Sequence, residues 1–242
     1  MPGSMAMHQP NYVPWLGYFH KLASCDTFVH LDVVQYPRGQ SFGARNRIKT
    51  PSGVTWLTIP VSRPPGREGK VTYAEVGFAD AGWPAKHLKT IEMSYRRAPF
   101  FDEVLALYEA GLSAGSSLLD VNLALIESFA GYIGITSRRV RLSELLDDFG
   151  QRNELVIDIC RAIDADVYVS GTGGGTEYCD ADLLARHGIE LRFDEYAPPE
   201  YPQLWESFEP SLSILDALFN RGAGGVRDLL GDAPNIMRPS KP

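Results

Sequence analysis

Short apolar bursts and longer periodic stretches alternate along the chain. Thr27 to Leu31 is a burst of β-branched and aromatic residues and predicts a buried strand. Just before it, Leu16, Phe19 and Leu22 recur at helical spacing. Ala6 to His8 is short for a strand, but Pro10 and Pro14 behind it fix φ and remove two backbone donors. A strand followed by a rigid turn is therefore expected ahead of the helix. That is β-α-β at the start of the chain, which predicts a parallel pair and an α/β sheet. Asn46 to Thr50 and Thr55 to Val61 flank Pro51-Ser52-Gly53 and read as an antiparallel hairpin. Pro64-Pro65-Gly66 with Arg67 to Lys70 marks a surface loop, and Val71 to Phe78 alternates as a further strand.

From Gly82 to Ser137 the period changes to that of helices. Leu88, Ile91 and Tyr95 share a face, as do Val104, Leu107 and Tyr108, and residues 118–133 are amphipathic throughout. Ser143 and Glu144 read as the cap and first turn of a helix, and Glu154 to Ile163 as another. Val167 to Ser170 is a strand feeding a glycine-rich loop. Ala181 to His187 is a short helix with Asp180 as N-cap, Leu191 to Phe193 a strand, and Ser213 to Asn220 a helix closed by Gly222 at C′. The expected fold is α/β: a mainly parallel sheet with flanking helices, an antiparallel hairpin and a helical insertion. One domain should span residues 6–242, with residues 83–137 as the inserted helical subdomain. An α+β protein with a mainly antiparallel sheet is the alternative.

Composition narrows the function classes. The chain has 242 residues, 44% hydrophobic and 22% charged, enough for a substantial core. A net charge of −7 and a pI near 5.3 argue against a broad basic surface for nucleic acid, while a local basic pocket and a tRNA acting as acyl carrier stay open. Cys25, Cys160 and Cys179 are widely spaced, so neither a disulfide framework nor a zinc knuckle is suggested. No apolar run reaches the roughly 18 residues of a membrane-spanning helix and no signal peptide is evident, so a soluble cytoplasmic protein is expected. Met1 to Met5 reads as a short leader, native or added.

Candidate chemistry gathers in three places. The first is His8-Gln9-Pro10-Asn11-Tyr12, trapped between a strand and a helix N-terminus, where first-turn N–H groups lack partners. Asp32 and Gln35 follow the second strand, at the sheet edge where ligands of open α/β sheets bind. The second is Ser170-Gly171-Thr172-Gly173, whose glycines let backbone N–H groups approach an anion; it lacks the Lys-Ser/Thr of a Walker A loop and is not a GxGxxG fingerprint. The third is Arg45, Arg47 and Lys49, which alternate and so project from one face of a strand as a phosphate or carboxylate site, or simply guard an edge strand. His8, Asn11, Asp32, Gln35, Arg45, Arg47, Ser170, Gly171 and Tyr178 are expected to line one cleft. No metal is expected, and His30 with Asp32 is the pair that comes nearest to a zinc site.

The motifs His8 to His20, Phe28 to Tyr36, Ser41 to Thr50, Val169 to Tyr178, Tyr201-Pro202-Gln203 and Leu212 to Gly222 together resemble the WbqC-like protein family, in order and over nearly the whole chain. The resemblance implies a role in glycan or natural-product biosynthesis. On that basis the expected function is a transferase that N-acylates an amine or amino-sugar small molecule, with an acyl or aminoacyl group such as glycyl. His8 would be the general base with a pKa near neutrality, Asp32 would orient it, and Asn11 or the amides of Gly171 to Gly173 would hold the oxyanion. Gln9, Tyr12, Asn46 and Thr172 complete the expected substrate contacts. The alternatives are nucleotidyl or adenylyl transfer, with His8 and His20 on the phosphates and ATP as cosubstrate, and a non-catalytic binding or scaffold subunit. The chain departs from the family pattern at Val33, Ala44 and Pro198, where Asp, Asn and His are usual, which implies a changed substrate pocket.

Overall fold

The computed structural model describes residues 3–66, 71–172 and 179–237. Five strands form the main sheet: β1 (Gly3–His8), β2 (Thr27–His30), β7 (Arg138–Arg141), β8 (Ala165–Gly171) and β9 (Glu190–Asp194). All pairings are parallel, in the spatial order β7-β2-β1-β8-β9. Counted along the chain, the order is third, second, first, fourth, fifth. The chain winds outward from β1 in one direction, then returns to β8 and winds in the other. The fold is α/β.

Period-two alternation divides each strand between two cores. Ala6, Phe28, Val167 and Val169 face helices α1 (Leu16–Ala23), α4 (Leu118–Ile133) and the last helix, α8 (Ile214–Leu229). Met5, Val29 and Tyr168 face α5 (Leu142–Leu145), α6 (Asn153–Ile163) and α7 (Ala181–Arg186). Between β2 and β7 the chain builds the hairpin of β3 (Arg45–Thr50) and β4 (Gly53–Thr58), the short pair β5 (Val61–Ser62) and β6 (Gly77–Phe78), and the helices α2 (Trp83–Tyr95), α3 (Phe101–Leu112) and α4.

Four expectations change. β1 starts at Gly3, because Met5 is fully buried and Ser4 bonds the Asp26 carboxylate through its N–H (2.9 Å) and hydroxyl (2.7 Å), so residues 3–5 belong to the sheet. Val71 to Phe78 is not one strand. Thr72 and Glu75 form a reciprocal capping box that winds Tyr73–Glu75 into a single 3-10 turn, leaving only Gly77–Phe78 extended. Gly222 closes the first stretch of the last helix as expected, but a second helical stretch follows it. It takes φ 61 and ψ −174 within α8, which kinks there and runs on to Leu229. Ser143 is not the α5 cap either; Arg141 holds that position.

Asp216 proves to be fully buried in α8, where it accepts weakly from Asn220 Nδ2 (3.2 and 3.4 Å). Burial pushes its carboxyl up to about 7, and Lys49 pulls partly against this. The native state therefore holds this proton more tightly than the unfolded chain does. The stabilisation is full below the ordinary carboxylate value and drains away as the pH climbs toward 7, by at most about 1.4 kcal/mol per pH unit. Asp216→Asn should match the parent in urea midpoint near about pH 3 and exceed it near about pH 8. An equal difference at both pH values would rule out Asp216 as the titrating group.

Candidate functional site

In an open parallel sheet, strands on either side of the point where winding reverses send their following loops in opposite directions, leaving a crevice beyond their C-terminal ends. Here that point lies between β1 and β8. A cavity of about 1010 Å³ opens there, of a size suited to a small molecule. His8 and Gln9 reach it from the end of β1, Ser170, Gly171 and Thr172 from the end of β8, and Asp194 from the end of β9. Trp15, Gly17, Tyr18 and Lys21 contribute from α1 and its entry.

The turn after β1 is held from all sides. Asn122, on the buried face of α4, donates its two amide hydrogens to the carbonyls of Pro10 (2.8 Å) and Gly43 (2.7 Å). Asn46 Nδ2 donates to the Val13 carbonyl (2.9 Å), Ser213 Oγ donates to the same oxygen (2.8 Å), and Ile214 N–H donates to Pro14 (2.7 Å). Tyr12 is fully buried, its hydroxyl bonded to His87 Nδ1 (2.8 Å) and to the Tyr108 hydroxyl. Tyr12 and Asn46 thus build the wall behind the site and do not face the cavity. Val13 adopts φ 36, an uncommon value for a β-branched residue that these bonds hold in place.

His8 Nδ1 lies 3.0 Å from the Gln9 carbonyl, an acceptor only, so Nδ1 carries the hydrogen and Nε2 keeps its lone pair. The ring meets Trp15 and Tyr18 edge-on, at 5.8 and 5.0 Å between centroids. Desolvation first and the charge of Lys21 second drive the imidazole down to about 3. His8 is therefore neutral across the working range, and the expected pKa near neutrality does not hold. Lys21 is itself buried, donates to the Met7 carbonyl (3.1 Å), and is lowered to about 8 by desolvation, with Cys25 and Asp194 acting in the opposite sense. Its Nζ would lie 3.9 Å from a Cβ added at Gly171, so it sits at the join of β1 and β8. Asn11 is buried, lines the cavity, and makes no side-chain hydrogen bond among the described residues.

The other expected residues separate. Asp32 does not orient His8. Its carboxylate caps the start of α5, accepting from Ser143 N–H (3.1 Å) and Ser143 Oγ (2.5 Å). His20 lies behind the cavity wall, with Nδ1 2.7 Å from Asp194 Oδ1 and its ring stacked on Tyr196 at 4.1 Å. Gln35 is exposed and bridges to Thr72. Arg45, Arg47 and Lys49 do project from one face of β3, but none lines the cavity. Arg45 lies over the Trp56 ring at 4.0 Å, Arg47 donates to the carbonyls of Pro210 (3.4 Å) and Ser211 (3.0 Å), and buried Lys49 donates to Gln203 Oε1 (3.3 Å) and the Ser207 carbonyl. Gly173 and Tyr178 lie outside the described residues. Cys179 lines the cavity, but burial raises its thiol, which disfavours the thiolate a nucleophile needs.

Sequence reasoning missed Lys21, Asn122 and Asp194. Asp194 had a usable signal, since it ends a strand and the strand-end rule that selected Asp32 applies equally to it. His30 and Asp32 diverge: His30 Nε2 is 3.4 Å from Glu127 Oε1, while Asp32 serves α5. Among the described residues no group of three or more His, Cys, Asp or Glu side chains could hold a metal ion, and no helix is long and apolar enough to cross a membrane.

A parallel sheet of this order, with a cavity over its reversal point and no glycine fingerprint after β1, defines a doubly wound α/β protein that departs from the usual dinucleotide-binding form. The chain belongs to the WbqC-like protein family, whose model matches residues 9–228. It is similar to the uncharacterized protein Rv1507c of Mycobacterium tuberculosis, with 32% identity over 241 residues that cover 97% of each chain. No solved structure matches it significantly.

Proposed function

We propose that this protein is a transferase of glycan or natural-product biosynthesis that acylates the amine of a small molecule held in the cavity between β1 and β8. The state of His8 carries this reading: Nδ1–H is fixed on the Gln9 carbonyl, which leaves the Nε2 lone pair as an acceptor in a site that also holds Lys21 and Asn11. In the reaction, the neutral amine attacks the acyl carbon and the carbonyl electrons move onto oxygen, where the Asn11 amide donates. Nε2 takes the proton from the new C–N bond's nitrogen. Collapse of the intermediate expels the donor's leaving group, which takes that proton back. Lys21, charged below about 8, suits an anionic donor or acceptor. An anion beside it would offset the charge that depresses His8 and so raise the basicity of the imidazole during the reaction.

Nucleotidyl transfer is the second reading, favoured by the strand order, which places the cavity where nucleotides bind in doubly wound sheets. Incubating the protein with UDP-linked amino sugars and activated acyl or aminoacyl donors, then measuring the mass of the amine product, tests the first. The expected result is one added acyl group without ATP consumption. Pyrophosphate release from ATP with no amide product would move the assignment to the second. Binding of the amine without either reaction would leave a ligand-binding subunit.

A further inference from the structure

A run of aromatic rings leaves the cavity and continues onto the β3–β4 hairpin. Trp15 meets Phe42 at 5.5 Å between centroids, and Phe42 meets Trp56 at 5.9 Å. Trp15 and Phe42 line the cavity, whereas Trp56 stands outside it on β4. Phe42 is 46% exposed and Trp56 40%, so two large rings lie side by side in water at the cavity rim. Contiguous exposed apolar surface next to a cavity is the mark of a contact face, and a single exposed ring would not be.

The ridge is also cationic. Arg45 lies 4.0 Å over the Trp56 ring and Arg47, the cross-strand partner of Trp56, lies 6.0 Å from it. Arg47 is tethered to two backbone carbonyls, while Arg45 makes no ion pair with a described residue. A chain of net charge −7 has many carboxylates available to neutralise a half-buried guanidinium, yet Arg45 is set against an aromatic face instead. Ring faces accept a planar or sugar-like ring, and a guanidinium matches a phosphate with two parallel hydrogen bonds. A neutral sugar needs no cation, and an acidic peptide needs no stacking platform. A nucleoside diphosphate needs both.

We infer that the Phe42–Trp56–Arg45 ridge binds the nucleoside diphosphate portion of a substrate whose reacting end extends into the cavity toward His8. The base stacks on Trp56, with the tilted Phe42 ring at its edge, and the phosphates meet Arg45. This inference rests on the reading of the cavity as the reaction chamber.

UDP and ADP are the probes, titrated into the full-length protein at low salt by calorimetry and by indole emission. Both should bind and quench tryptophan fluorescence. Trp56→Ala should raise Kd about tenfold or more, Trp56→Phe should stay within about threefold of the parent, and Arg45→Gln should raise Kd about tenfold and flatten its salt dependence. His8→Ala should keep UDP affinity within about twofold, since UDP lacks the reacting end that extends toward His8. Absence of binding by both nucleotides, unchanged affinity in Trp56→Ala, or inorganic pyrophosphate binding as tightly as UDP would overturn the inference. Amide formation from a nucleotide-free amine with no UDP binding would sink the ridge and leave the reaction standing. UDP binding without any amide product would do the reverse.

Discussion

In the His8→Ala protein, turnover of the acyl transfer should fall by about 10²–10⁴-fold, the range contributed by a positioned general base. The melting temperature should change little, because the imidazole is half-buried at a cavity wall and water can satisfy the Gln9 carbonyl it leaves. The loss should appear in kcat, with KM within a few-fold, since Nε2 acts on a proton that moves only as the C–N bond forms. The pH profile supplies a second readout. Lys21 has its pKa lowered to about 8 and is charged below that value, so activity should decline as the pH rises through about 8. Burial and Lys21 hold the His8 imidazole down to about 3, so no acidic limb should come from it between about pH 5 and 7. Lys21→Arg should move the alkaline limb out of reach, because a guanidinium stays charged. A His8→Ala enzyme within threefold of the parent would remove the imidazole from the mechanism.

Gly222→Ala should cost about 3 kcal/mol of stability and lower the melting temperature by about 6–12 °C for a chain of this size. Two effects combine. The backbone there has φ 61 and ψ −174, a region that side chains other than glycine's hydrogen scarcely enter. In addition, a Cβ would meet the Phe100 ring at 2.5 Å, closer than any carbon contact in a packed core. Phe100 cannot easily withdraw, because its N–H is bonded to the Phe219 carbonyl (3.2 Å) in the turn before the kink. A double-mutant cycle with Phe100→Ala separates the two contributions: the partner change relieves the clash and leaves the backbone strain. A melting temperature within 1 °C of the parent in Gly222→Ala would show that the kink is not required.

The opening β-α-β unit was legible because each of its parts is local. Phe28 and Val29 form a strand on either face, and Pro10 and Pro14 prevent the turn from becoming helix. The hairpin at Pro51-Ser52-Gly53 was equally local, and Gly53 takes φ 105 as such a turn needs. What failed was set by distant partners. Gly3 and Ser4 are poor strand formers, and distant partners draw them into the sheet: Asp26, 22 residues away, bonds Ser4, and β8 pairs with Gly3 and Ser4. Asp32 was assigned to the cavity because it follows a strand at the sheet edge, but its N–H turns back onto the His30 carbonyl (3.0 Å) and its carboxylate goes to Ser143 at the start of α5. The basicity expected of His8 was that of a solvated imidazole. Lys21, which lowers it, sat in an ordinary-looking amphipathic helix with nothing to reveal that its ammonium group is buried against β1.

The Ser213–Val13 hydrogen bond joins residues 200 positions apart in the chain. At ribosomal speeds of about 5–20 residues per second, the turn that carries His8 waits roughly 10–40 s before its last anchor is made. β1 is likewise made well before β8, yet it lies at the centre of the sheet and cannot be flanked on both sides until β8 appears. Loop-closure entropy must be overcome for each of these contacts before any of them is rewarded, which places the chain among slow-folding topologies. During that interval the faces of α3, α4 and β3 on which α8 packs have no cover, and a nascent chain stalled before α8 would present them to chaperones and proteases.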